Sequence, residues 1–187
     1  MAIAEFTNSK FILTWRPFQL NPDMPKKGMC RKKYLETKFN GTESARKIYK
    51  SINDEGLVNN IYFQFDKIEI TPNTMASHKL LALAHKLNKQ TQVVESLFYD
   101  YFIEGVDIGK EEELIRIAKL HNIYDDKTLE YLKSEEDNLN LLAEERHARE
   151  LGVKGVPCFI INKEFVLFGA QDKKKFINIF DQINNEH

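Results

Sequence analysis

A chain of 187 residues with 42% hydrophobic content is long enough to bury one sizeable core. Its 27 Lys and Arg against 28 Asp and Glu leave a net charge of -1, which offers no electrostatic attraction to nucleic acid or an anionic membrane. No apolar run reaches the ~18 residues of a membrane helix, and the opening "MAIAEFTNSKF" lacks a basic segment followed by an apolar one, so a cytoplasmic protein is expected.

The first element, "AIAEF", has Ala2, Ile3 and Phe6 at helical spacing with no capping residue before them, as the tail of a helix would. "FILTWRPF" alternates, with Phe11, Leu13 and Trp15 on one face and Ile12, Thr14 and Arg16 on the other, and Pro17 closes it; this predicts the first strand. After the loop "QLNPDMPKKG", "CRKKYLETKF" and "ESARKIYKSI" predict short amphipathic helices separated by the turn "NGT", and "IYFQFD" a brief extended segment or strand. From Thr74 to about Ser134 the pattern is helical, through "NTMASHKLLALAHKLNK", "TQVVESLFYDYFIEG" and "EEELIRIAKLHN". A further helix, "SEEDNLNLLAEERHARELG", ends on Gly152 as on a left-handed cap.

The close is of another kind. "PCFIIN" and "EFVLFG" flank a turn around Lys163, and "QDKKKFINIFDQI" places Phe176, Ile179, Phe180 and Ile183 on one helix face. There is no internal repeat and no low-complexity linker, so residues 1–187 read as one domain with a helical insertion over about 73–151.

The closing order, helix, "GVKGVP", apolar hairpin and amphipathic helix, resembles the second half of a thioredoxin fold. Four stretches, "WRPFQLNPDMPKKG", "PNTMASHKLLALA", "SLFYDYFIEGVDIG" and "GVKGVPCFIINKEFVLFGAQ", together resemble the FrnE branch of the DsbA-like oxidoreductases. Relatives of that branch include 2-hydroxychromene-2-carboxylate isomerase and the kappa-class glutathione transferases. The resemblance implies an α/β thioredoxin-like fold with a large helical insertion, and thiol–disulfide exchange with a protein substrate.

Family members open with a strand and a Cys-Pro-Trp-Cys-like motif at the start of a long helix, of which "AIAEF" resembles the end. That first, central strand and its cysteine pair have no counterpart in this sequence, whose two cysteines are Cys30 and Cys158. The expectation is therefore a chain inactive in dithiol exchange, with no catalytic residue of its own. Its sheet either collapses across the gap or borrows pairing from another chain, as in a strand-swapped homodimer. No cofactor follows from the oxidoreductase reading. Two alternatives stand beside it: a glutathione-dependent isomerase or transferase, with glutathione as ligand, and a non-catalytic, chaperone-like binder.

By resemblance the binding residues are Val156 and Pro157, whose loop aligns an extended substrate or glutathione, joined by Cys158, Asn73, Gln171 and Asp172. Each has a plainer role. Cys158 is either a reactive thiol beside the loop or a small hydrophobe filling a position often held by threonine. Asn73 and Asp172 precede helices and serve equally as caps, and Gln171 belongs to the turn "GAQD" that borders the last helix. Cys30 lies beside Arg31, Lys32 and Lys33, conditions that favour a thiolate, or is incidental. Trp15 packs, and Arg16 meets an anionic substrate group or an acidic neighbour. His78 and His85, seven apart, are too few and too widely spaced to argue for a metal. "LFYDYF" is expected to seal the insertion against the sheet.

Overall fold

Helix signals in the sequence become helices wherever the apolar period is long. The structure, a computed structural model, describes residues 11–39 and 41–185; the expected helix tail "AIAEF" lies outside them. Two compact units result, one of residues 21–142 and one of 143–187 together with the described residues up to Leu20.

The larger unit opens with β1 (Met29–Cys30), α1 (Arg31–Phe39), α2 (Thr42–Val58) and, after a 3-10 turn at Phe65–Lys67, β2 (Ile70–Thr71). β1 and β2 pair antiparallel, Met29 with Thr71 and Cys30 with Ile70. Gly28 (φ 70) makes this pairing possible, since a Cβ there would lie 2.6 Å from the Thr71 carbonyl oxygen. Arg31 ties the region together: its Nη2 donates to the Tyr49 hydroxyl (2.6 Å) and its Nη1 to Thr71 Oγ1 (3.2 Å), with the guanidinium over the Tyr49 ring.

Four helices follow: α3 (Met75–Lys86), α4 (Gln90–Tyr99), α5 (Glu111–Leu120) and α6 (Thr128–Lys133). Leu80 and Ala84 of α3, Val93 and Leu97 of α4, Leu114, Ile117 and Ala118 of α5 and Leu132 of α6 form one core, each large side chain contributing about 1.5–3 kcal/mol by leaving water. The aromatic string does not all go inside. Leu97 is buried, but Phe98 and Tyr99 remain 52% and 56% exposed because Val93, Val94 and Leu97 already fill the inward face of α4. A π turn, Asp100–Glu104, then re-aims the chain, with Asp100 buried and ion-paired to Arg116.

Lys79 is a buried cation within this unit. Its ammonium donates to the carbonyls of Leu132 (3.2 Å) and Ser134, closing the end of α6, and it lies over the Tyr131 ring. Burial holds it below the ordinary lysine value, against the nearby carboxylates of Asp137 and Glu135 that raise it.

The division between units falls within α7 (Glu136–Glu150). The smaller unit adds a hairpin, β3 (Cys158–Ile161) and β4 (Phe165–Phe168), and α8 (Lys173–Asn185). The strand expected over 11–18 is absent: this segment is extended but joins no ladder, and Ile12 is 83% exposed. Alternation makes a chain extended; only a neighbour's free edge makes it a strand. Side chains hold the segment instead. Arg16 pairs with Glu144 (3.1 Å), the acidic neighbour among its two expected roles, Arg149 donates to the Gln19 carbonyl (2.8 Å) and stacks on Phe18, and Phe11 meets Phe180. "IYFQFD" likewise joins no ladder and closes in the 3-10 turn, its Phe63 and Phe65 stacked at 5.0 Å. No helix among the described residues is long and apolar enough to cross a membrane.

Candidate functional site

Gly152 sits at φ 89 after α7, where the amide of Val153 donates to Ala148 (3.0 Å) and that of Gly152 to Arg149 (3.0 Å), so the helix stops as its sequence predicts. Val153 is 7% exposed and anchors the turn. Lys154 and Gly155 then lead to Val156 and Pro157, joined by a cis peptide bond.

Pro157 has no amide to give a ladder, and it stands just before β3, where that lack is harmless. Its carbonyl accepts the Gly169 amide (2.8 Å) and locks the loop to the end of β4. Val156 makes no such bond. Its N–H and C=O have no partner among the described residues, and its side chain is 50% exposed. A backbone group left unpaired at a surface is available to an incoming chain.

β3 and β4 pair in register from Cys158 with Phe168 to Ile161 with Phe165, around a turn that takes Asn162 (φ 50) and Lys163 (φ 64) into the left-handed region. Side chains alternate across the hairpin. Phe159, Ile161, Phe165 and Leu167 lie on one face, where Phe159 meets Phe176 edge-on at 4.9 Å and Leu167 is 7% exposed. Cys158, Ile160, Val166 and Phe168 lie on the other, with Ile160 51%, Val166 47% and Phe168 54% exposed. Both faces are apolar, as in strands meant to be covered on two sides. β3 has no second neighbour among the described residues, so one edge of its backbone is open.

The thiol of Cys158 opens the apolar face. Burial pushes its pKa up, so at neutral pH it is a protonated thiol. Cys30 is exposed, belongs to the other unit, and is likewise free.

The polar candidates are already occupied. Gln171 donates to the Phe168 carbonyl (2.6 Å) and accepts from Lys175 (3.0 Å); Asp172 accepts the Lys174 amide (2.8 Å) at the start of α8. Asn73, in the other unit, donates to the Met24 carbonyl (2.7 Å) and accepts the Met75 amide (3.0 Å) at the start of α3. Val156, Pro157, Cys158, Gln171 and Asp172 thus share one unit, and what the first of them offers a ligand is backbone and apolar surface. The exposed trio Ile160, Val166 and Phe168 was missed in the sequence, although the uninterrupted apolar runs "CFII" and "FVLF" were its signal. His78 and His85 both lie on α3, and among the described residues no three His, Cys, Asp or Glu side chains gather as metal ligands.

A profile of the family described as "DSBA-like thioredoxin domain" matches residues 2–180. No curated protein matches the chain. Among solved structures, a probable DsbA oxidoreductase from Streptomyces coelicolor superposes with a TM-score of 0.81. The match covers 92% of this chain and 75% of that one at 20% identity, a likeness of fold.

Proposed function

The chain belongs to the DSBA-like thioredoxin domain family and has its helix-rich fold with small sheets, and from that premise we propose that the Val156–Pro157 corner is the substrate-docking half of a thiol–disulfide oxidoreductase site. The guest is an extended polypeptide segment bearing a thiol or disulfide. It pairs with the open backbone of Val156 and the free edge of β3, and its apolar side chains cover Ile160, Val166 and Phe168. The unpaired Val156 N–H and C=O carry this reading, since they stand beside an apolar face that nothing among the described residues covers.

The cysteine chemistry is not supplied by these 187 residues. Exchange in the family runs by thiolate attack on one substrate sulfur, with a mixed disulfide formed and the other sulfur leaving as thiolate. Cys158 is a protonated thiol with no second cysteine near it in sequence, and a single cysteine cannot resolve a mixed disulfide intramolecularly. In an insulin-reduction assay driven by dithiothreitol, the protein leaves the rate at its uncatalysed background. Acceleration that survives alkylation of Cys30 but not of Cys158 would overturn this.

The exposed Ile160, Val166 and Phe168 also support a second reading, in which the protein binds unfolded chains without any exchange chemistry. It then suppresses aggregation of a reduced client equally well before and after both cysteines are blocked. Under the first reading, N-methylation of the amides in the client's extended segment weakens its binding, because the guest is held through its backbone.

A further inference from the structure

Of the 17 residues of α2, only Ala45 and Gly56 are buried among those described. The inner face rests on aromatic rings: a Cβ at Gly56 would lie 2.7 Å from the Phe63 ring, and Tyr49 meets Phe65 edge-on at 4.8 Å. The outer face is poor in charge. Ser44, Ile48, Ser51, Glu55 and Val58 follow one another at intervals of four and three and form a single stripe, with Lys47 and Ile52 along its edges. Ile48 and Ile52 are each 42% exposed and Val58 79%. Small and apolar side chains thus occupy a surface that a solvated helix fills with charged ones.

Two charges remain on this face. Lys47 stands towards its N-terminal end and Glu55 towards its C-terminal end, eight positions apart, or about 12 Å along the axis, too far to pair within one helix. Neither belongs to an ion pair among the described residues. Glu55 accepts the side-chain amide of Asn59 (3.1 Å), and Glu43, one turn before Lys47, makes no ion pair with it. Lys50 and Asp54, paired at 2.8 Å, lie round the helix from the stripe.

We propose that two copies of the chain meet on this face, α2 against α2, antiparallel about a two-fold axis at Ser51. The charges select that register. It sets Lys47 of each copy opposite Glu55 of the other, and Val58 of each opposite the small Ser44, while the two Ser51 residues face each other with little bulk between the helices. A parallel pairing would set lysine against lysine and glutamate against glutamate. One helix pair buries less than the ~1,200 Å² of the smallest stable interfaces, so the dimer is weak and forms at high protein concentration. The residues it uses all belong to α2, and none belongs to the prolyl corner.

The test is sedimentation velocity of the full chain from low micromolar to millimolar concentration, with Cys30→Ser and Cys158→Ser present throughout to exclude disulfide-linked species. A concentration-dependent monomer–dimer equilibrium is expected. Lys47→Glu weakens it about tenfold, and Glu55→Lys does the same, while the circular dichroism spectrum is unaltered because both side chains are exposed. The two changes in one chain restore the dimer. So does an equimolar mixture of the two single variants, in which opposite charges again face each other. A chain that stays monomeric at millimolar concentration would overturn the proposal, as would charge reversals that leave association unchanged or that the combined variant does not restore.

Discussion

In the helical unit Leu80, Ala84, Val93, Leu114, Ile117 and Ala118 have no exposed surface, while in the hairpin unit Val156, Ile160, Val166 and Phe168 keep 47% to 54% of theirs. The two groups are equally apolar, so what separates them is what surrounds them. A four-helix arrangement closes on itself because every helix finds a neighbour for its stripe. The two-stranded hairpin packs α8 on one face, and among the described residues nothing buries the other. Burial is concentrated in the first unit and exposed apolar surface in the second.

The largest break in this contrast is Leu114→Ala. The side chain is wholly enclosed by the core, and its loss costs about 3 kcal/mol, read by urea denaturation followed by circular dichroism. A cost below ~1 kcal/mol would mean that the core relaxes freely. Next comes Lys79→Ala, which strips the Leu132 and Ser134 carbonyls of their donor and opens a void, for about 2 kcal/mol. Lys79→Met fills the void but restores no donor, so it lies between wild type and alanine.

Phe168→Ser sharpens the comparison from the other side. It changes stability by less than ~1 kcal/mol, because the ring is already more than half in water. It lowers affinity for an extended apolar peptide about tenfold, the equivalent of ~1.4 kcal/mol, in a fluorescence-anisotropy titration. Equal binding by both proteins would remove the apolar face from the site.

The smallest effect belongs to Cys158. Its native pKa is raised, so the thiol is protonated in both native and unfolded states at pH 7 and contributes nothing to pH dependence there. Above ~8.5 the unfolded thiol ionises first, and stability falls as pH climbs from there towards the native value. Iodoacetamide therefore labels exposed Cys30 before Cys158 at pH 7.5, and labelling of Cys158 rises only at more alkaline pH. Mass spectrometry of the two peptides against time decides the order.

Much of this arrangement was readable in the residues. The long helical periods of "NTMASHKLLALAHKLNK" and "EEELIRIAKLHN" name their own inward faces, Gly152 announces the end of α7, and the hairpin follows from two apolar runs around Asn162 and Lys163. "FILTWRPF" misled for a physical reason: its alternation describes one strand's faces and says nothing of whether an edge waits beside it. The pairing of Met29–Cys30 with Ile70–Thr71 was invisible because strands of two residues carry no period. The order of motifs singles out the Val156–Pro157 corner in the sequence, and the structure shows its peptide bond to be cis. The commitment of Gln171, Asp172 and Asn73 to local hydrogen bonds depends on distances that only the folded chain defines.

The central claim, that an incoming chain pairs with the open backbone at the prolyl corner, is met most directly by amide chemical shifts. The ¹⁵N-labelled protein is titrated with an extended cysteine-containing apolar peptide. The account predicts that the Val156, Cys158 and Ile160 amides move together and saturate while those of Leu114 and Ile117 stay still. Shifts confined to the helical unit, or a Val156 amide that ignores the peptide while binding proceeds, would contradict it.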